Sequence, residues 1–458
     1  MCPREERTDE DVTNKQYYHS VTLDKDKCKG CTNCIKSCPT EAIRVRDGKA
    51  KIIKERCIDC GECIRVCPYQ AKSAVTEKLD DIFEYKYKIA IPAPTLYGQF
   101  NNLHDINYIL TGLKYLGFDD IYEVAKATEA ITSYTKKLIE DNELMRPVIN
   151  SACPTVVRMI TVRFPNLINH ILPLISPMEV AAKVARREAI EKTGLKDEEI
   201  GVFFISPCAA KATAVRNPIG LFKSPVSGVL SIKEVYIKLL PILGKIEHVE
   251  KLSTCAFEGV KWAGSGGEVE ALESDKYVAV DGIENVIKLL EEIEDDEKLD
   301  LDFVEALACT GGCVGGPLCV ENNFVAKIKI KKLAERLKKE GQRSEKVNIE
   351  NEELVWNSPV SYRNVLNLDN DIMEAMRKME EMEKIYDSLP QLDCGSCGAP
   401  SCRAMAEDMV RGFSSETDCI YKLRERVREL AREMMALQEQ MPGSFQADNR
   451  EKEIQDED

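Results

Sequence analysis

Histidine is scarce: four in 458 residues (His19, His104, His170, His248), all scattered. That weighs against histidine-rich metal sites and against hydrolase triads, which need an imidazole beside the nucleophile. No apolar run approaches the roughly 18 residues of a membrane span, so no membrane partner is expected. The first residues, MCPREERTDEDVTNKQ, are charged and lack the apolar core of a secretory leader. Basic charge is also short, with 63 Lys and Arg against 78 Asp and Glu, a net charge of -15. A surface for nucleic acid or anionic lipid would favour the opposite balance, so nucleic acid is not an expected partner either.

Cysteine is abundant, at 19 residues. A secreted disulfide scaffold would be short and loop-rich, and this chain is neither. Most of the cysteines fall in tight C-x-x-C clusters, which suit metal ligation in a reducing compartment; a cytoplasmic location is the expectation.

Five segments follow. Residues 1–18 read as a solvated tail. Residues 19–78 hold two similar units, CKGCTNCIKSCPTEAI and CIDCGECIRVCPYQAK, a repeat of about 29 residues. In 79–367 the strand-like runs YKIAIPAP, IGVFFISP and LDFVEALAC alternate with helical stretches, which suggests α/β units. Residues 368–423 open with a helical stretch in which Ile372, Met376, Met379 and Tyr386 lie near one face, a packing pattern. They end in a small cysteine-rich region. In 424–458, with its start at Ile420, the apolar residues Ile420, Leu423, Val427, Leu430, Met434, Leu437 and Met441 form a heptad seam that Pro442 terminates. The seam fits a terminal helix packed on its own protein, a homodimer or a docked partner helix.

Cys28, Cys31, Cys34 and Cys38 have C-x2-C-x2-C-x3-C-P spacing, and Cys57, Cys60, Cys63 and Cys67 repeat it. Two-residue gaps let three thiolates of one loop converge on one cubane, while the fourth reaches the other cluster. Cys28, Cys31, Cys34 and Cys67 should therefore hold one 4Fe-4S cluster, and Cys57, Cys60, Cys63 and Cys38 a second. The module resembles bacterial two-cluster ferredoxins. Cys394, Cys397, Cys402 and Cys419 follow a different spacing, with glycines that allow a tight loop. Their string, DCGSCGAPSC…MAEDMVRG, resembles the small 4Fe-4S domain of corrinoid iron-sulfur proteins and some hydrogenase-like sensors.

Four more cysteines lie in three separated segments: NSACPTVV (Cys153), SPCAAKATA (Cys208) and EALACTGGCVGGP (Cys309, Cys313). Each segment follows an apolar or strand-like run, where α/β active sites tend to lie. Here the chain resembles the catalytic domain of FeFe-hydrogenases, whose signatures have the forms TSCCP, MPCxxKxxE and ExMACxxGCxxGG. KYKIAIPAPTLYGQF and KWAGSGGEVEAL resemble that family's first strand and its glycine-rich segment. The resemblance runs from about residue 19 to 423. It implies a ferredoxin-like domain with two 4Fe-4S clusters, an α/β H-cluster domain, a small C-terminal 4Fe-4S domain and a terminal helix, an α/β and α+β multidomain chain.

The resemblance also implies that Cys153, Cys208, Cys309 and Cys313 bind a 4Fe-4S cluster. Cys313 would bridge it to a di-iron unit bearing CO, cyanide and a dithiolate, the whole forming the H-cluster. Lys211 would hydrogen-bond a cyanide ligand. Pro92, Ala93 and Pro207 would line the pocket, and Gly315 and Gly316 would let the backbone approach the cluster.

Several positions depart from the pattern. Ala152 stands where the family carries a proton-relaying cysteine, and Ser206 where it has methionine. Ala214 stands where a glutamate is expected after the lysine, and Tyr134 and Thr135 align loosely with a paired-glutamate segment. The third signature continues as Pro317-Leu318-Cys319. Proton delivery should be slowed, and Glu305, Glu321 and Cys319, the nearest titratable groups in sequence, are the candidates for another route. The chain resembles sensory FeFe-hydrogenases without a PAS domain. The expectation is a ferredoxin-type FeFe-hydrogenase of low activity, interconverting H2 with protons and electrons and serving a regulatory role. Its redox partner would be ferredoxin-like, or it would meet a signalling protein. The alternative is a non-catalytic iron-sulfur protein, in assembly or electron transfer, that lacks the di-iron unit.

Overall fold

The computed structural model describes residues 18–273, 275–295, 299–342 and 346–440. Cys2, Met441 and Pro442 lie outside them. The chain forms two compact units. Among the described residues, the first contains 18–29, 37–42 and 52–366; the second contains 30–36, 43–51 and 367–440.

The strands are β1 (Val21–Leu23), β2 (Ile43–Arg46), β3 (Lys49–Ile52), β4 (Lys72–Ala74), β5 (Tyr87–Pro92), β6 (Asp120–Ile121), β7 (Val148–Ile149), β8 (Ile200–Ser206), β9 (Gly228–Ser231), β10 (Tyr277–Asp281) and β11 (Phe303–Leu307). In the first unit, β6-β5-β8-β9 make one sheet and β10-β11-β7 another, every pair parallel. Parallel sheets need both faces covered, and every residue of β8 and β11 is buried. Alternate residues serve opposite faces: Ile89, Ile91, Val202 and Phe204 enter one core, while Ala90, Phe203 and Ile205 enter another.

This topology sets the location of the site. Three of the cysteine-bearing segments and the Ala93 loop follow the carboxyl ends of parallel strands: β5 leads to Ala93, β7 to Cys153, β8 to Cys208 and β11 to Cys309. Cys153 and Cys208 then cap helices Pro154–Arg163 and Ala209–Arg216, where the positive end of the helix dipole favours a thiolate.

The same unit includes the antiparallel pair β1–β4. Asp59 ties it down. Its carboxylate accepts from the Ser20 and Val21 amides at 3.0 and 3.1 Å and from the Thr213 hydroxyl at 2.8 Å. The segment carrying Cys57 and Cys60 is thereby fastened to the helix that follows Cys208.

In the second unit, the β2–β3 hairpin meets the C-terminal cysteine domain. Arg44 and Arg46 both pair with the buried Asp408, at 2.7 and 2.6 Å. The amide of Val45 donates to the Gly398 carbonyl at 2.8 Å. Helix Ile372–Ser388 buries Met382, with Ile385 and Tyr386 partly covered. Ile372, Met376 and Met379 are exposed, against the packing pattern read from their spacing. The core occupies the C-terminal half of that helix, one turn beyond those methionines. Helix Ile420–Glu439 buries none of its residues within the described chain.

Candidate functional site: cysteine clusters and a cavity between two parallel sheets

Cys153, Cys208, Cys309 and Cys313 converge at the strand ends. Each of Cys153, Cys208 and Cys309 lies close enough to at least two others of the set for their charges to interact. Burial raises the thiols of Cys153 and Cys208 to about 11 and that of Cys309 to about 12, and neighbouring thiols push in the same direction. No disulfide joins them. A buried thiol cluster of this kind is costly to ionise without a cation, and iron supplies one.

Beside it lies a mainly apolar cavity lined by Ala93, Ala152, Pro207, Lys211, Cys313 and, on its polar side, Glu268 and Glu305. The Lys211 ammonium is 3.9 Å from the Cys313 sulfur and 5.8 Å from the Phe204 ring. Burial works to lower its pKa; the Cys313, Cys208 and Cys153 thiols outweigh it, and the net shift is upward. Two polar atoms that line the cavity, Thr95 Oγ1 and Trp262 Nε1, are buried without a hydrogen-bond partner. A pocket with a fixed cation, unmatched donors and a thiol at its edge fits an anionic, acceptor-bearing metal group.

The remaining expected residues are placed as follows. Pro92 ends β5, paired with Ile205, one residue before the cavity. The Ser206 hydroxyl is engaged by its own loop: it accepts from the Cys208 amide at 3.0 Å and donates to the Cys208 carbonyl at 3.1 Å. Gly315 and Gly316 are glycines because the protein's own backbone crowds them. A Cβ would stand 2.2 Å from the Thr310 carbonyl oxygen at Gly315, and 2.2 Å from that of Pro207 at Gly316. Gly312 has φ +90° and a Cβ there would stand 2.4 Å from the Ser265 amide.

Glu305 is 1% exposed and faces the start of helix Gly267–Leu272. Its carboxylate accepts from the amides of Gly266, Glu268 and Val269 at 2.9, 3.1 and 3.0 Å. Glu321 is carried outward by the turn after Cys319 to an ion pair with Lys329, which holds its carboxyl below the usual range. Cys319 donates to the Cys313 carbonyl at 3.7 Å, and burial pushes its thiol far up. Of these three, Glu305 alone lines the cavity.

Sequence reasoning missed Glu268. It is buried, lines the cavity, and accepts from Asn150 Nδ2 at 2.8 Å. Burial, then the charge of Glu305, pushes its carboxyl well above the ordinary range. The signal was an acidic residue at the first turn of the helix after the glycine-rich run, invisible as a site residue until that helix is set against β11.

Among the other clusters, Cys38 lies with Cys57, Cys60 and Cys63. Cys28 is buried and Cys31 exposed in the loop before helix Asn33–Lys36, which carries Cys34; Cys67 follows helix Glu62–Arg65. Cys394, Cys397, Cys402 and Cys419 line one small hollow together. Cys255 is fully buried and donates to Glu123 at 3.2 Å. No described helix is long and apolar enough to cross a membrane.

Three family models match parts of the chain. The family model "Iron only hydrogenase large subunit, C-terminal domain" matches residues 86–271 and 244–317. A 4Fe-4S dicluster model matches 20–68 and an Fe-S cluster model 389–421. The chain is 24% identical over 390 residues to iron hydrogenase 1 of Clostridium pasteurianum, covering 69% of this chain and 67% of that one. It is 28% identical over 212 residues to the periplasmic Fe hydrogenase large subunit of Nitratidesulfovibrio vulgaris, covering 42% of this chain and 50% of that one. It thus spans about two thirds and half of these relatives. A solved variant of the FeFe-hydrogenase of Chlamydomonas reinhardtii aligns with TM-score 0.46 and 16% identity, over 63% of this chain and 98% of that one. The first of these family matches extends over about half of the chain, residues 86–317, and the chain belongs to the iron-only hydrogenase large-subunit family.

Proposed function

We propose that the protein is an H-cluster FeFe-hydrogenase that turns over slowly and reports hydrogen or redox state. The observation that carries this is the Lys211 ammonium, set 3.9 Å from Cys313 inside a cavity that meets four converging cysteines. Cys153, Cys208, Cys309 and Cys313 would hold the cubane, and Cys313 the di-iron unit as well. When bound, the di-iron unit supplies the heterolytic splitting of H2 and its reverse, and the cubanes carry electrons.

The chain's own residues divide the remaining work. Lys211 orients an anionic ligand by a charge-assisted hydrogen bond. Phe204, Pro207, Met178 and Val124 exclude water from the cavity. Ala152 lines it and carries no proton. Glu268 does: its raised carboxyl holds a proton at neutral pH, and although burial raises Glu305 as well, its three amide donors favour the ionised form there, which leaves the pair's proton on Glu268. Ala152, which cannot relay a proton where a thiol relay is expected, supports slow turnover. Two 4Fe-4S clusters on the N-terminal cysteines and one on the C-terminal set would connect the cavity to a ferredoxin-like partner.

The regulatory role is supported by helix Ile420–Glu439, whose seam residues are 43–69% exposed. Its occupant is proposed to be the same helix of a second copy, antiparallel. That arrangement stacks Ile420 on Leu437, Leu423 on Met434 and Val427 on Leu430 across the two-fold axis, and sets Arg426 beside Glu433 twice. A parallel pair matches no opposite charges at these flanking positions.

Infrared spectroscopy after maturation with a di-iron precursor tests the main reading. CO and CN bands are expected. Their absence, with cubanes present, would leave the non-catalytic iron-sulfur alternative.

A further inference from the structure

Arg65 belongs to the ferredoxin-like segment, yet its side chain is directed at the cysteine loop of the hydrogenase domain. It ends the four-residue helix Glu62–Arg65, entered through Gly61 at φ +76°. Gly61 fits tightly there, since a Cβ would stand 2.4 Å from the Pro317 side chain. Pro317 is one of the residues at which the third signature departs from the family's pattern. Held this way, the Arg65 guanidinium donates to the Gly315 carbonyl, pairs with Glu62, and lies close enough to Cys309 for its charge to interact. Cys60 is close enough to interact with its charge as well. About a quarter of its side chain remains accessible (26%).

The guanidinium therefore stands between two groups of metal-ligating thiols: Cys60, which lies with Cys38, Cys57 and Cys63, and Cys309, which lies with Cys153, Cys208 and Cys313. Reduction of a cubane adds one negative charge. A cation held beside the ligand loop stabilises that charge, and nearby charge is one of the levers by which a protein sets cluster potential. Arg65 is bonded to the Gly315 carbonyl, in the loop of Cys309 and Cys313, and its charge acts more strongly on Cys309 than on Cys60, so the two clusters are affected unequally.

We propose that Arg65 is a positioning residue for electron transfer: it raises the potential of the cubane on Cys309 relative to that of the ferredoxin-type cluster on Cys60, and Glu62 moderates this effect. Electrons arriving through the ferredoxin-like segment would then settle beside the cavity. This rests on the reading that Cys153, Cys208, Cys309 and Cys313 hold a cubane.

The test is a redox titration followed by electron paramagnetic resonance on full-length protein carrying cubanes and no di-iron unit. The relevant signal is identified by its loss in Cys153→Ser. In Arg65→Gln the ratio of reduced to oxidised cubane at a fixed potential should fall about tenfold, equivalent to 59 mV for one electron. Arg65→Lys should recover most of it, and Glu62→Gln should raise the ratio several-fold. Unchanged ratios in Arg65→Gln, even with a lowered melting temperature, would make Arg65 a structural clamp and overturn the proposal. Should Arg65→Gln fail to hold its clusters, Glu62→Gln decides alone, and no shift in it overturns the proposal. Wild-type protein with no signal sensitive to Cys153→Ser would instead remove the cubane reading beneath it.

Discussion

The Glu305 carboxylate accepts a hydrogen bond from the backbone amide of Glu268 at 3.1 Å, while the Glu268 side chain points away to Asn150. Two buried carboxyls thus share one helix start with unequal support. Glu305 has three amide donors and Glu268 has one side-chain amide, so the shared proton belongs on Glu268. Replacing Glu268 with Gln should cut hydrogen turnover by about a hundredfold or more, the scale of a lost general acid, with iron content unchanged. Glu305→Gln should cost about 1 kcal/mol of stability through the weakened helix cap, and slow turnover less. Turnover and thermal melts on both variants check this.

A second carboxyl gives a pH signature. Glu179 is 3% exposed, accepts from the Ser176 amide and hydroxyl, and lies near Lys183 and Lys211. Burial raises it to about 7 despite those bonds and lysines. A raised carboxyl favours the protonated folded state. Its ionisation therefore removes stability as pH climbs from the ordinary carboxylate range near 4.5 to about 7. The loss should approach about 3 kcal/mol at most. Glu179→Gln should flatten the melting temperature between pH 5 and 8 relative to wild type, and an identical slope would sink the assignment.

Lys211→Met should keep the four cysteines and lose the cavity's cation. A charge-assisted bond of roughly 1.5–3 kcal/mol corresponds to about a ten- to hundredfold loss in retention of an anionic group. Infrared CO and CN intensity per iron after maturation measures it. Equal intensity would show that the ammonium does not hold that ligand.

Gly316→Ala tests the backbone packing. Its Cβ would meet the Pro207 carbonyl at 2.2 Å, and that carbonyl already accepts from the Leu318 amide at 3.0 Å. The Cys208 loop should be pushed from its place, lowering iron content by about one cubane and stability by several kcal/mol. Iron analysis and melting curves decide it.

For the terminal helix, Val427→Asp with Leu430→Asp should convert a dimer to monomer in sedimentation equilibrium, with iron content unchanged. Arg426→Glu and Glu433→Arg should each weaken the dimer, and the double variant should restore it. A parallel dimer would ignore the swap. A monomeric wild type would leave the seam to a different signalling protein.

The cysteine spacings were readable because ligation is a local demand. Two-residue gaps fold three sulfurs onto one face whatever surrounds them, as in the ferredoxin repeat; the C-terminal set and the three hydrogenase segments, with other spacings, were read through their resemblance to known families. The strands were readable for a similar reason, since buried parallel strands are apolar throughout, as β8 is. Two kinds of fact came only with the tertiary structure. The first is which titratable group shares the cavity. Glu305, Glu321 and Cys319 are neighbours in sequence, yet Glu321 turns out to Lys329, and Glu268, 37 residues before Glu305, turns in. The second is why the glycines are bare. Gly312 and Gly316 are set by the close approach of Ser265 and Pro207, and Gly61 by Pro317. Sequence alone determined that this is an iron-sulfur protein, because cysteine ligands are chosen by element and local spacing. The folded chain decided the protonation and the charge around that metal, because these depend on which distant segments the parallel sheets bring to one edge.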